Sequence, residues 1–170
     1  MNRLIALLFC VAPLAFAHAQ VSSYGLAVDV VAEHDSGPLA GMTTYQIFME
    51  CVHTDDVVSS VSGDAIFPAD LSTTTSFFQD ALGGATPNSI NPLLFGFFAE
   101  LPYDSWVTIG ISQTPNGAAN EGEVSSVESP TQAWLLPFES GNNLVMDDAT
   151  GGAWFVTQNY SNGVAGDDHR

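Results

Sequence analysis

Lysine is absent from this chain, and cationic side chains of any kind nearly are: the two arginines, Arg3 and Arg170, stand close to the two ends of 170 residues. Nineteen acidic side chains oppose them, all after position 20, for a formal net charge of −17 with histidine neutral. Such a chain can form essentially no Lys or Arg ion pairs. It repels itself and offers no basic footprint to phosphate, nucleic acid or anionic lipid. Cysteine is scarce too, with Cys10 and Cys51 alone. No apolar run after the first twenty residues is long enough to span a bilayer.

What is present at the N-terminus reads as a secretory leader over residues 1–19. Arg3 supplies the positive start, Leu4 to Val11 the apolar stretch, and Ala17-His18-Ala19 a small-x-small cleavage site before Gln20. Pro13 interrupts the run, which argues against a membrane anchor, and Phe9 before Cys10 argues against a lipoprotein site. The expectation is a secreted chain, extracellular or at the cell surface, carrying nineteen acids against one arginine. Cys51 would then be its lone thiol, with no internal disulfide. Cys51 continues the alternation of Tyr45, Ile47 and Met49. That spacing predicts an inward-facing strand position and a buried, inert thiol rather than a nucleophile.

About 150 exported residues suit one domain with a real core, over 20–170. Eleven Phe and three Trp speak against disorder. The acids are dispersed, with Asp55-Asp56, Asp147-Asp148 and Asp167-Asp168 as the closest pairs. A surface of this kind is best tolerated where salt screens it, as in a marine habitat; at half-molar salt the Debye length is about 4–5 Å.

The patterning is that of strands. Tyr24, Leu26, Val28, Val30 and Ala32 alternate with Gly25, Asp29 and Glu33. Residues 43–53 alternate again after the turn cluster His34 to Pro38. Further strands are expected at 57–61, 65–67, 73–79, 106–111, 124–127, 144–146 and 154–157. Residues 93–98, Leu-Leu-Phe-Gly-Phe-Phe, read as a buried strand or helical turn, and 129–136 as a short helix begun at Ser129 and stopped by Pro137. Many short strands between Gly, Pro and Asn turns point to an all-β fold, an antiparallel β-sandwich with few short helical turns.

Several segments, in order, carry a resemblance: Leu39 to Tyr45, Val61-Ser62-Gly63-Asp64, Thr73 to Asp80, Asn91-Pro92, Tyr103 to Gly110, and Gly151 to Phe155. Together they resemble a family of secreted, acidic, β-rich repeat domains of surface proteins from marine and aquatic bacteria. The resemblance implies a secreted β-rich module and carries over no catalytic residue. Similar domains continue past the position of Asp168 with further strand-like sequence. The sandwich is therefore expected to lack a closing strand and to leave an open edge for a strand-addition partner.

Catalytic motifs are missing. No Gly-x-Ser-x-Gly elbow is present, and His34, His53, His169 and Cys51 have no zinc-ligand spacing. Paired carboxylates of a hydrolase are the alternative, but nineteen acids bring some pair together by chance. Calcium fits the composition better, with Asp147 and Asp148 as the preferred ligands beside the Gly151-Gly152 loop. No EF-hand or nonapeptide repeat supports it, and a solvated acidic turn is the plainer reading. Trp106 and Trp154 fall in strand patterns and read as core, leaving Trp134 as the exposed aromatic for a ligand contact, a glycan above all. The sequence thus predicts a non-enzymatic extracellular module with a surface, matrix or adhesive role and cell-surface or matrix partners. Glycan or calcium binding is the near variant. Self-repulsion predicts that melting rises from low-salt buffer with chelator to seawater-like salt. Equal melting points in calorimetry would contradict the charge argument.

Overall fold

A computed structural model describes residues 23–170, so the leader expected over residues 1–19 lies outside the described residues. The chain is all-β, with every strand pair antiparallel. Strands β1 (Gly25–Glu33) and β2 (Thr43–Glu50) form a hairpin. Strands β3 (Ser60–Gly63) and β5 (Ser125–Val127) flank β7 (Gly152–Phe155), while β4 (Ala69–Leu71) pairs with β6 (Leu144–Met146). One short helix, α1 (Leu135–Glu139), and single 3-10 turns complete the order. The sheets hold two, three and two strands. Among the described residues these are three small sheets, not the two broad facing layers of the expected sandwich. Glycine, proline, asparagine and aspartate recur every few residues outside the hairpin and stop each strand early.

The core lies between the β4–β6 pair, β7 and α1. Ala85, Val107, Trp134, Phe138, Leu144 and Met146 are buried together, with Leu71, Phe77 and Trp154 packed against them. Trp134 is 1 % exposed. Its ring lies 6.0 Å from that of Trp154, and Phe77 meets Phe138 edge-on at 5.1 Å. Both indoles find acceptors, the buried Trp134 Nε1 donating to the Val127 carbonyl at 3.1 Å and the half-buried Trp154 Nε1 to the Thr108 carbonyl at 3.0 Å. Gly152 makes this packing possible, since a Cβ there would sit 2.7 Å from the Met146 sulfur and 3.0 Å from Trp134 Nε1.

Several expected elements are built differently. Residues 106–111 keep the alternation, with Val107, Ile109 and Ile111 buried, yet join no ladder. The Val107 amide donates to the Ala85 carbonyl in a loop, the Thr108 carbonyl serves an indole, and Gly110 turns the backbone at φ +67°. Residues 65–67 are a turn tip rather than a strand, because Asp64 Oδ1 accepts from the amides of both Ile66 and Phe67. Residues 73–79 are irregular, with Thr73 and Thr75 bonding each other. The helix begins at Leu135, not Ser129, and contains Pro137 instead of stopping there. Pro137 is its third residue, where the amide has no intrahelical acceptor to lose. Residues 93–98 are not buried: Leu93 is 81 % and Phe97 83 % exposed.

Trp134→Ala should cost about 3–5 kcal/mol, because it opens a cavity and strands the Val127 carbonyl. Leu93→Ser should stay within about 0.5 kcal/mol. Urea unfolding midpoints of the two variants check the contrast.

Candidate functional site

Of the two carboxylates expected to hold calcium, Asp148 has both oxygens engaged by the protein and Asp147 has one. Asp148 Oδ2 accepts from the hydroxyls of Ser129 and Thr131, each at 2.5 Å. Asp148 Oδ1 accepts from the amides of Thr150 at 3.1 Å and Gly151 at 2.7 Å. Asp147 Oδ1 accepts from Gln132 Nε2 at 2.6 Å, while Gln132 Oε1 accepts from the amides of Asp147 and Asp148. Four donors converge on Asp148 and face both of its oxygens, the atoms that the expected cation would take. Ser129 and Thr131 hydroxyls, then the backbone amides, hold the Asp148 carboxyl down at about 2. Trp134 requires a correction. It is core, so the exposed ligand contact expected from it is not available.

Other carboxylates do the same work. Glu128 Oε1 accepts from the amides of Trp134 and Leu135 at 2.6 and 2.7 Å, capping α1 from the preceding loop. Asp104 is buried and spans a loop, accepting from the Asp80 amide at 2.7 Å and the Gly84 amide at 2.9 Å. Burial raises its carboxyl above the usual range even though these amides pull the other way. The Asp64 carboxyl is lowered by the Phe67 and Ile66 amides. These acids are spent on architecture. Cys51 is buried, and burial pushes its thiol up, away from nucleophilic use.

Two shallow polar clefts open on the body, of about 350 and 640 Å³. They share Asn88, Glu123 and Ser125; Glu139 lines the smaller, and Glu121 and Tyr160 the larger. Asn88 is fixed in place, pairing through its side chain with both the amide and the carbonyl of Val124.

The hairpin carries a different surface. Register pairs Leu26 with Met49, Val28 with Ile47 and Val30 with Tyr45, which sets all six side chains on one face. They are 40–74 % exposed. The opposite face, with Ala27, Ala32 and Phe48, is half-buried. It is tied to the C-terminal segment: the Cys51 amide donates to the His169 carbonyl, and Arg170 bonds Asp29 at 2.6 Å while its guanidinium lies 4.8 Å from the Phe48 ring centre. The alternation of β1 and β2 was legible, but the apolar set points to solvent, opposite to the inward direction expected for Tyr45, Ile47 and Met49. Both outer edges of the hairpin lack backbone partners among the described residues. Nearly equal alternation in both strands, joined by one turn, was the available signal for a two-stranded apolar face.

No family model, no curated protein and no solved structure matches this chain. The Asp148 cluster predicts a definite acid response. A carboxyl held at about 2, against an ordinary value of about 3.9, adds stability that is present above the unfolded value. That stability is lost as pH falls through the folded one. Asp104 works in the opposite direction, because its folded form binds the proton more readily. Asp148→Asn can still accept from the two amides and donate to the hydroxyls. It should therefore flatten the fall of the urea midpoint between about pH 4 and pH 2. An unchanged slope would contradict the assignment.

Proposed function

We propose that this chain is a secreted, non-enzymatic extracellular module with a surface, matrix or adhesive role, and that the apolar face of the β1–β2 hairpin is its contact surface. The observation that carries the reading is that face: six large apolar side chains, paired across two strands in one register, stand in water side by side on a strongly acidic protein. Contiguous exposed apolar surface of this kind marks a contact site. The leader-like N-terminus and the resemblance to acidic surface domains support an extracellular setting. The deployment of Asp64, Asp104, Glu128 and Asp148 as loop ties supports a structural rather than a catalytic use of the acids.

Glycan binding is a second reading, favoured by the two polar clefts that meet at Asn88, Glu123 and Ser125 with Tyr160 on one wall. It concerns a separate surface and does not compete for the hairpin.

The reading predicts where the protein goes after export. Wild type should partition with the cell-surface and matrix fraction, and Val28→Ser/Ile47→Ser should move mostly to the free medium. Tyr160→Ala should leave the partition unchanged. Equal partition of the hairpin variant and wild type would overturn the reading.

A further inference from the structure

We infer that the occupant of the hairpin face is the same face of a second copy of this chain, stacked on it about a two-fold axis. The inference rests on the reading of that face as the contact surface, and names its partner.

Three observations point to a second copy. The first is extent. The six side chains together expose the equivalent of more than three whole residues, on the order of 600 Å² at the roughly 150–250 Å² that a large side chain covers. Two such faces in full contact remove at most about 1,200 Å², the lower bound of a standard stable interface.

The second observation is charge. A second copy carries the same strong negative charge, so a tolerable contact must keep carboxylates off the interface. The hairpin does this. Asp29 and Glu50 pair in register with Gln46 and Gly25 on the opposite face, and Asp29 is neutralised there by Arg170. Glu33, at the far end of β1, is the one carboxylate whose register places it on the apolar side.

The third is self-complementarity. An isologous contact needs a patch that matches itself under a two-fold rotation. The three cross-strand pairs run as a symmetric strip, two side chains wide, with the Val28–Ile47 pair at its centre. Antiparallel stacking of two such strips places centre on centre. It sets the Tyr45 end of one copy over the Leu26 end of the other, with the two Glu33 carboxylates at opposite ends. Stacked sheets of this kind pack about 10 Å apart.

The remaining like charge makes association dependent on salt. Its range is about 10 Å at 0.1 M ionic strength and about 4–5 Å at half-molar. Sedimentation equilibrium on the chain recovered from the medium of expressing cells tests the inference. A dimer is expected near half-molar NaCl, with a Kd about tenfold weaker near 0.05 M. Val28→Asp sets a carboxylate at the centre of the strip and should leave a monomer up to about 100 µM, while Leu136→Asp, exposed on α1, should leave the dimer intact. Near-UV circular dichroism of the tryptophans, all in the body, reports whether Val28→Asp remains folded. If it does not, Ile47→Cys decides. A short bis-maleimide should cross-link that variant to itself and leave Leu136→Cys uncoupled. Three outcomes overturn the inference: a wild-type monomer at high salt, a dimer that survives in folded Val28→Asp, or Ile47→Cys that couples no better than Leu136→Cys. A monomeric wild type whose surface retention still depends on Val28 and Ile47 would overturn the second copy alone and leave the contact surface standing.

Discussion

The interaction on which this structure depends is the carboxylate that accepts from backbone amides and hydroxyls. A chain whose described residues hold one arginine and no lysine cannot neutralise its acids with ion pairs. It uses them as acceptors. Glu128 takes two amides at the start of α1, Asp104 ties the 80–84 loop, Asp64 closes the β3–β4 turn and Asp148 gathers four donors before β7. Hydrogen bonds of this ionised kind are roughly twice as strong as neutral ones, and they satisfy loop amides that no ladder reaches. This is how a body of strands three or four residues long, joined by long irregular segments, holds a definite shape around Trp134 and Phe138.

The hairpin follows other rules. It is held by its own ladder and by the C-terminal segment, where Arg170 spends the one described cation on Asp29 and Phe48. One side of the hairpin therefore leans on the chain, and the other is left apolar and uncovered. Acidic loops make the body self-repelling, and an apolar strip supplies the place where contact costs least electrostatically. The division of labour between these two parts is the basis of the proposed role at a surface or in a matrix.

Much of the strand content was legible because the hairpin, β5, β6 and β7 carry their own alternation or β-branched runs. Direction was not. Leu26, Val28 and Val30 read as a core face, and nothing local reveals that the body lies on the other side. Residues 106–111 have the pattern of a strand, but where their backbone bonds go is decided by Ala85 and Trp154, far away in sequence. Trp134 reads as a loop aromatic because the pocket that encloses it comes from β6, β7 and residues near position 107. The acidic pair Asp147-Asp148 suggested a cation for the same reason. The hydroxyls that occupy Asp148 stand 17 and 19 residues earlier.

Amide hydrogen exchange at neutral pH tests the central claim most directly. If carboxylates hold the loops, the amides of Trp134, Leu135, Gly84 and Gly151 should be protected to a degree comparable with strand β7, although none of them donates to a backbone carbonyl in a ladder. Glu128→Gln should weaken protection at Trp134 and Leu135 and leave Gly84 and Gly151 as they are. Exchange of these four amides in the wild type at the rate of an open loop would contradict the account.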